Sequence, residues 1–66
     1  MKYIRGKIGQ NIGYLNDIGG QIQAFHLRKG MVGWYNKGSD MTYDRTGKIF
    51  AYGDATVALI FIAELY

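Results

Sequence analysis

His26 is the only histidine of this 66-residue chain and Ser39 its only serine, so with one of the five carboxylates they can be drawn as a hydrolytic triad. A triad needs nucleophile, base and orienting acid within hydrogen-bond reach of one another. No spacing supports that arrangement, and strand alternation puts His26 on the face shared by Ile22 and Ala24. Asp17 and Asp44 can be drawn as an acid–base pair, yet each stands at the same place before a glycine, where an Asp bonds the backbone of its own turn. Gly19-Gly20 lacks the following Lys-Ser/Thr or helix of a phosphate loop. With no Cys and a single His, a Cys-based zinc site is excluded and a His-dominated one lacks ligands. No catalytic residue, metal or cofactor is expected.

Binding chemistry is better supplied. Trp34, Tyr14 and Tyr52 are rings able to stack a planar group, and Arg5, Arg28 and Arg45 are guanidinium groups able to hold a phosphate. These six are the candidate ligand-binding residues, for a small anionic or nucleotide-like molecule at a seam between subunits. Exposed aromatics and arginines also suit a protein partner. Single-stranded nucleic acid ranks lower, because no RNA-binding consensus or cold-shock motif accompanies the rings and lysines.

The elements that must position these groups follow from composition. A chain of 66 residues is close to the size at which one hydrophobic core barely suffices. Disulfides cannot supplement it, so association with further copies is the expected device, and a content of 48% hydrophobic and 15% aromatic residues leaves rings to spare for an interface. Absence of Cys fits a reducing compartment, and Lys2, Arg5 and Lys7 interrupt any signal-peptide core, so a cytoplasmic location is expected. The apolar run Val57 to Ala63 is far short of the ~20 residues that span a bilayer, and no membrane partner is expected. The net charge of +3 is spread over turns and strand faces.

Ten glycines and no proline punctuate closely spaced strands, which predicts a mainly β fold in one domain, residues 1–66. Strands are expected over about Lys2 to Arg5, Lys7 to Leu15, Gln21 to Leu27, Met31 to Tyr35, Met41 to Tyr43 and Lys48 to Tyr52. A nine-residue pattern occurs twice, in Asp17 to Phe25 and in Asp44 to Tyr52: Asp opens a turn, Gly three residues later takes positive φ, and Ile-x-Ala-aromatic follows. Looser echoes run from Gly9 to Tyr14 and from Gly30 to Trp34, giving four small-aromatic pairs, Gly13-Tyr14, Ala24-Phe25, Gly33-Trp34 and Ala51-Tyr52. Alternation puts the small residues and the rings on opposite faces, so another element can approach closely on the small side. Phe25 and Phe50 read as core or interface rings, and the adjacent Trp34 and Tyr35 must point to opposite faces.

The segment Asp54 to Tyr66 breaks the pattern. Asp54 as N-cap and three alanines favour a helix, whereas Thr56, Val57, Ile60 and Ile62 are β-branched and suit a last strand. Being apolar nearly all round, it belongs in a core or a subunit interface.

Tyr43 to Tyr52 resembles the repeat of the four-fold β-flower proteins, in which a Tyr-Asp-x-x-Gly turn precedes a strand ending in Gly or Ala and an aromatic. Asp17 to Phe25 is similar, and the resemblance extends over Ile8 to Tyr52. It implies a small antiparallel sheet or barrel of repeated β-hairpins with an apolar C-terminal segment. It implies no activity.

Overall fold

Five short turns set the architecture. In the computed structural model, which describes residues 1–65, the strands are β1 (Lys2–Arg5), β2 (Asn11–Asp17), β3 (Gln21–His26), β4 (Gly30–Asn36), β5 (Met41–Asp44) and β6 (Ile49–Tyr52), followed by helix α1 (Thr56–Leu65). Each strand pairs antiparallel with its successor in the order β1-β2-β3-β4-β5-β6, so the hairpin repeat forms an open sheet and not a barrel. The C-terminal segment is a helix. Tyr66, its last residue, lies outside the described residues.

The two strong sequence copies fold into different turns. After Asp44, Gly47 has φ 91°, its N–H donates to the Asp44 carbonyl, and the Asp44 N–H donates to the Lys48 carbonyl. This is a three-residue hairpin loop ending in a left-handed glycine. After Asp17, the left-handed residue is Gly19 (φ 99°), not Gly20, and Ile18 bonds Gln21 across a two-residue loop. With two glycines available, the tighter turn that opens on glycine matches the twist of the paired strands. The Asp44 geometry recurs where the sequence echo is weak. Gly6 bonds Gln10, Gly9 bonds Gly6, and Gly9 has φ 85°. That loop occupies Lys7 to Gly9, so β2 begins at Asn11 and not at Lys7.

Strand register re-sorts the repeats further. Ile4 faces Gly13 while Arg5 faces Asn11, so Ile12 is an extra residue in β2. Val32 is extra in β4 and Phe50 in β6 for the same reason. Each bulge falls on the apolar residue before a small-aromatic pair, at Ile12-Gly13-Tyr14, Val32-Gly33-Trp34 and Phe50-Ala51-Tyr52. In β3 the equivalent residue is polar Gln23, and β2 pairs with β3 without interruption. A bulge lets an extra side chain join its neighbour's side of the sheet. Ile12 thereby enters the core with Ile4, Ala24 and Ile60, and Val32 packs against it. Phe50, expected in the core or an interface, is 38% exposed, because β6 is an edge strand and α1 packs over β2, β3 and β4.

The helix lies on the small-residue side, as the alternation predicts. Its inward stripe is Thr56, Leu59, Ile60 and Ala63, the spacing of one helical face. Asp54 accepts the Thr56 N–H at 3.1 Å, acting as N-cap. Buried Thr42 ties this end down, donating to the Gly53 carbonyl at 2.6 Å and accepting the Ala55 N–H at 2.9 Å. Two glycines set the helix height. A Cβ on Gly13 would lie within 3.0 Å of the Phe25 carbonyl oxygen and 2.8 Å from Cγ2 of Ile60, and one on Gly33 would lie 2.5 Å from Cδ1 of Leu59. Gly20, by contrast, has open space where its Cβ would stand. Gly13→Ala and Gly33→Ala should therefore each cost about 1–3 kcal/mol in urea unfolding, as overpacking does, while Gly20→Ala stays neutral or gains. Equal effects at all three positions would refute the close-approach account.

Candidate functional site

The groups with catalytic potential are not assembled. His26 lies 1% exposed at the end of β3, beneath the last turn of α1. Its Nδ1 accepts the Arg28 backbone N–H at 3.1 Å, so the ring proton sits on Nε2 and is donated to Glu64 Oε1 at 2.9 Å. The same oxygen accepts Arg28 Nη2 at 2.9 Å, and Lys29 Nζ donates to the Ala63 carbonyl. Both imidazole nitrogens are thus engaged, Nε2 with the helix end and Nδ1 with the β3–β4 turn. Ser39 stands in the β4–β5 turn beside the Tyr43 hydroxyl, 3.4 Å away.

Asp17 accepts the Gly19 N–H at 3.0 Å and pairs with Lys37. Its carboxyl is held below the ordinary value first by that backbone bond and then by the lysine. Asp44 is lowered chiefly by the Thr46 hydroxyl. Both pKa values move down, whereas an acid–base pair needs two carboxyls pushed apart. The two aspartates are turn residues, as their place before glycine implies. Among the described residues no group of three or more His, Cys, Asp or Glu could hold a metal ion.

The face of the sheet away from α1 has a different character. Register places three rows of side chains on it: Tyr3, Tyr14, Phe25 and Met31; then Asn16, Gln23, Trp34, Tyr43 and Ile49; then Gln21, Asn36, Met41 and Tyr52. Tyr14 and Phe25 stack with centroids 4.8 Å apart and planes 11° apart, and Tyr3 leans on Tyr14 at 5.9 Å. Trp34 and Tyr43 form a second stack at 5.7 Å. Gln23 lies between the two stacks, two residues from Phe25 along β3 and directly opposite Trp34 on β4. No carboxylate among the described residues belongs to these rows. Arg5 follows Tyr3 by two residues on β1 and lies at the margin of the first stack by strand alternation.

Of the six residues proposed from sequence, Tyr14, Trp34, Tyr52 and Arg5 share this face, with Tyr52 81% exposed. Arg28 is on the helix side, engaged with Glu64, and Arg45 is in the β5–β6 turn. Trp34 and Tyr35 do point to opposite faces, Tyr35 sharing a row with buried Thr42 and donating its hydroxyl to Asp40 at 2.6 Å. Sequence reasoning missed Tyr3 and Gln23. Neither belongs to a small-aromatic pair, and both reach the site by cross-strand pairing.

The helix-end cluster generates a pH dependence. The His26 hydrogen bond, and then Arg28, hold the Glu64 carboxyl below the ordinary 4.5. A lowered folded-state pKa gives stability that is complete above the unfolded value and is lost as pH falls through the folded one. The gap in melting temperature between the wild type and Glu64→Gln should therefore be widest near pH 7 and close below about pH 4.5. A gap constant from pH 7 to 3 would show that the charge of Glu64 contributes nothing.

Comparison with protein-family models, with curated proteins and with solved structures gives no match for this chain, so its function must be argued from its own geometry.

Proposed function

We propose that the protein is a non-enzymatic binding module whose uncovered sheet face stacks a small planar anion of the nucleotide type. The observation that carries this reading is the pair of ring stacks flanking Gln23, in rows that hold no carboxylate among the described residues. A planar heteroaromatic group between Phe25 and Trp34 would meet ring surface on both sides. The Gln23 amide, with both donor and acceptor, would lie at its edge. Arg5 is the guanidinium group for its phosphate; Arg28 is set aside because Glu64 engages it, and Arg45 because the β5–β6 turn lies four strands from Arg5, too far to share one phosphate. The face is therefore preferred over a subunit seam as the ligand site. The cytoplasmic location and the kinship with four-fold β-flower proteins belong to this proposal, supported by the Cys-free composition and by the Tyr43 to Tyr52 motif.

Trp34 is the only tryptophan, so its fluorescence reports on this face alone. Titration with purine and pyrimidine nucleotides should quench it and raise the melting temperature by linkage. Phe25→Ala should weaken the ligand that quenches best by about 5- to 150-fold, the 1–3 kcal/mol of one stacked ring. Arg5→Gln should weaken it and flatten its salt dependence. Quenching by oligonucleotides alone, with a steep salt slope, would move the assignment to single-stranded nucleic acid. Absence of quenching by either class would overturn it.

A further inference from the structure

We infer that the outward stripe of α1 is a homodimer interface, in which two copies pack their helices antiparallel about a two-fold axis near Phe61. The stripe is Val57, Ala58, Phe61, Ile62 and Leu65, the i, i+1, i+4, i+5, i+8 spacing of a single helical face. Val57, Phe61 and Ile62 are 39–40% exposed and Leu65 is 80% exposed. It contains no polar side-chain atom, so water satisfies nothing there. An apolar groove of about 270 Å³ continues it, between Phe61 and Leu65 of the helix and Ile8 of the β1–β2 turn.

Three observations select a second copy of this chain as the occupant. The core is small. Among the described residues only Ile4, Ile12, Ala24, Leu59, Ile60 and Ala63 are buried hydrophobics, no disulfide is possible, and chains of this size commonly need association. A two-fold interface must also match itself, and an uncharged stripe does so without like-charge contact. Finally, charge is polarised along the helix. At its N-terminal end Asp54 and Asp17 share a groove with Lys2, and Lys37 pairs with Asp17, so the charge there is mixed; at its C-terminal end Arg28 pairs with Glu64, Lys29 bonds the Ala63 carbonyl and Lys7 lines the same groove as Glu64, an excess of positive charge. Antiparallel packing keeps the two basic ends apart, seats each against the mixed end of the other copy, and opposes the two helix dipoles.

Other apolar surfaces fit a second copy less well. The aromatic sheet face carries tyrosine hydroxyls and amides that dry burial would leave unpaired. The β6 edge is only four residues long and is blunted by the Phe50 bulge. An interface of standard size takes about 800 Å² from each partner, against a total surface of 4237 Å² for the chain. The stripe, the groove and the flanking turn together provide the location for it. Packed this way, the dimer turns its two aromatic faces outward on opposite sides.

Light scattering on a size-exclusion column at two protein concentrations should give twice the 7.5 kDa chain mass. Ile62→Lys and Phe61→Glu, both at exposed positions, should halve that mass while retaining the β-rich circular dichroism spectrum. Tyr52→Lys, on the opposite face, should leave the dimer intact. The double variant Val57→Cys/Leu65→Cys should form intermolecular disulfides on mild oxidation, whereas neither single variant should. A wild-type monomer at both concentrations, or a dimer that survives the two helix substitutions, would overturn the assignment. Trp34 quenching is scored separately, so loss of the dimer and loss of the ligand site are distinguishable.

Discussion

The distance between α1 and the sheet is the constraint on which the rest of this structure depends. Gly13 and Gly33 let the helix descend until Ile60 and Leu59 occupy the space where their Cβ atoms would stand, and Ala24, on the strand between them, is fully buried. A short helix gains little from its own hydrogen bonds and must be held by tertiary packing. Here that packing is made by few side chains at close range. Fastenings at each end complete it: Thr42 at the N-terminal connection, and the His26, Arg28 and Lys29 cluster at the last turn.

The bulges serve the same constraint. An extra residue in β2 and in β4 adds Ile12 and Val32 to the helix side beside the glycines, restoring apolar volume that the missing side chains remove. The repeated apolar-small-aromatic triplet is thus a packing unit: one residue seals the core, one admits the helix, and one ring goes to the opposite face. In β6 the unit is present but the helix does not extend over it, and Phe50 faces solvent. Conserving the unit while changing its cover converts a core position into a surface one.

Placing the small residues inward obliges the rings to gather outward. Cross-strand pairing converts ring positions scattered along the chain into adjacent stacks, and the same alternation keeps the carboxylates in turns and on the helix side. The polar groups are therefore segregated by role. Asp17 and Asp44 shape turns, Glu64 anchors the helix, and the amides of Gln23, Gln21, Asn16 and Asn36 share the sheet face with the rings.

Much of this was legible in the residues themselves. Glycine spacing without proline predicts closely connected strands, Asp before glycine predicts the turns, Asp54 predicts the helix start, and strict alternation predicts that small residues and rings part company. These are local properties, governed by φ/ψ preference and the two-residue period of a strand. Three features were decided only by the tertiary structure. Which glycine of Gly19-Gly20 turns left depends on matching the twist of two paired strands, and the similarity between Asp17 to Phe25 and Asp44 to Tyr52 conceals that choice. The bulges at Ile12, Val32 and Phe50 exist only relative to a partner strand, although the apolar residue there, against polar Gln23 in β3, is their trace in the sequence. Residues far apart in the chain, such as Gln23 and Trp34 on one face or His26 and Glu64 on the other, became neighbours through register and helix placement. A linear sequence carries each side chain's chemistry and its local geometry. Which side chains meet is set by strand pairing and by the close seat of the helix.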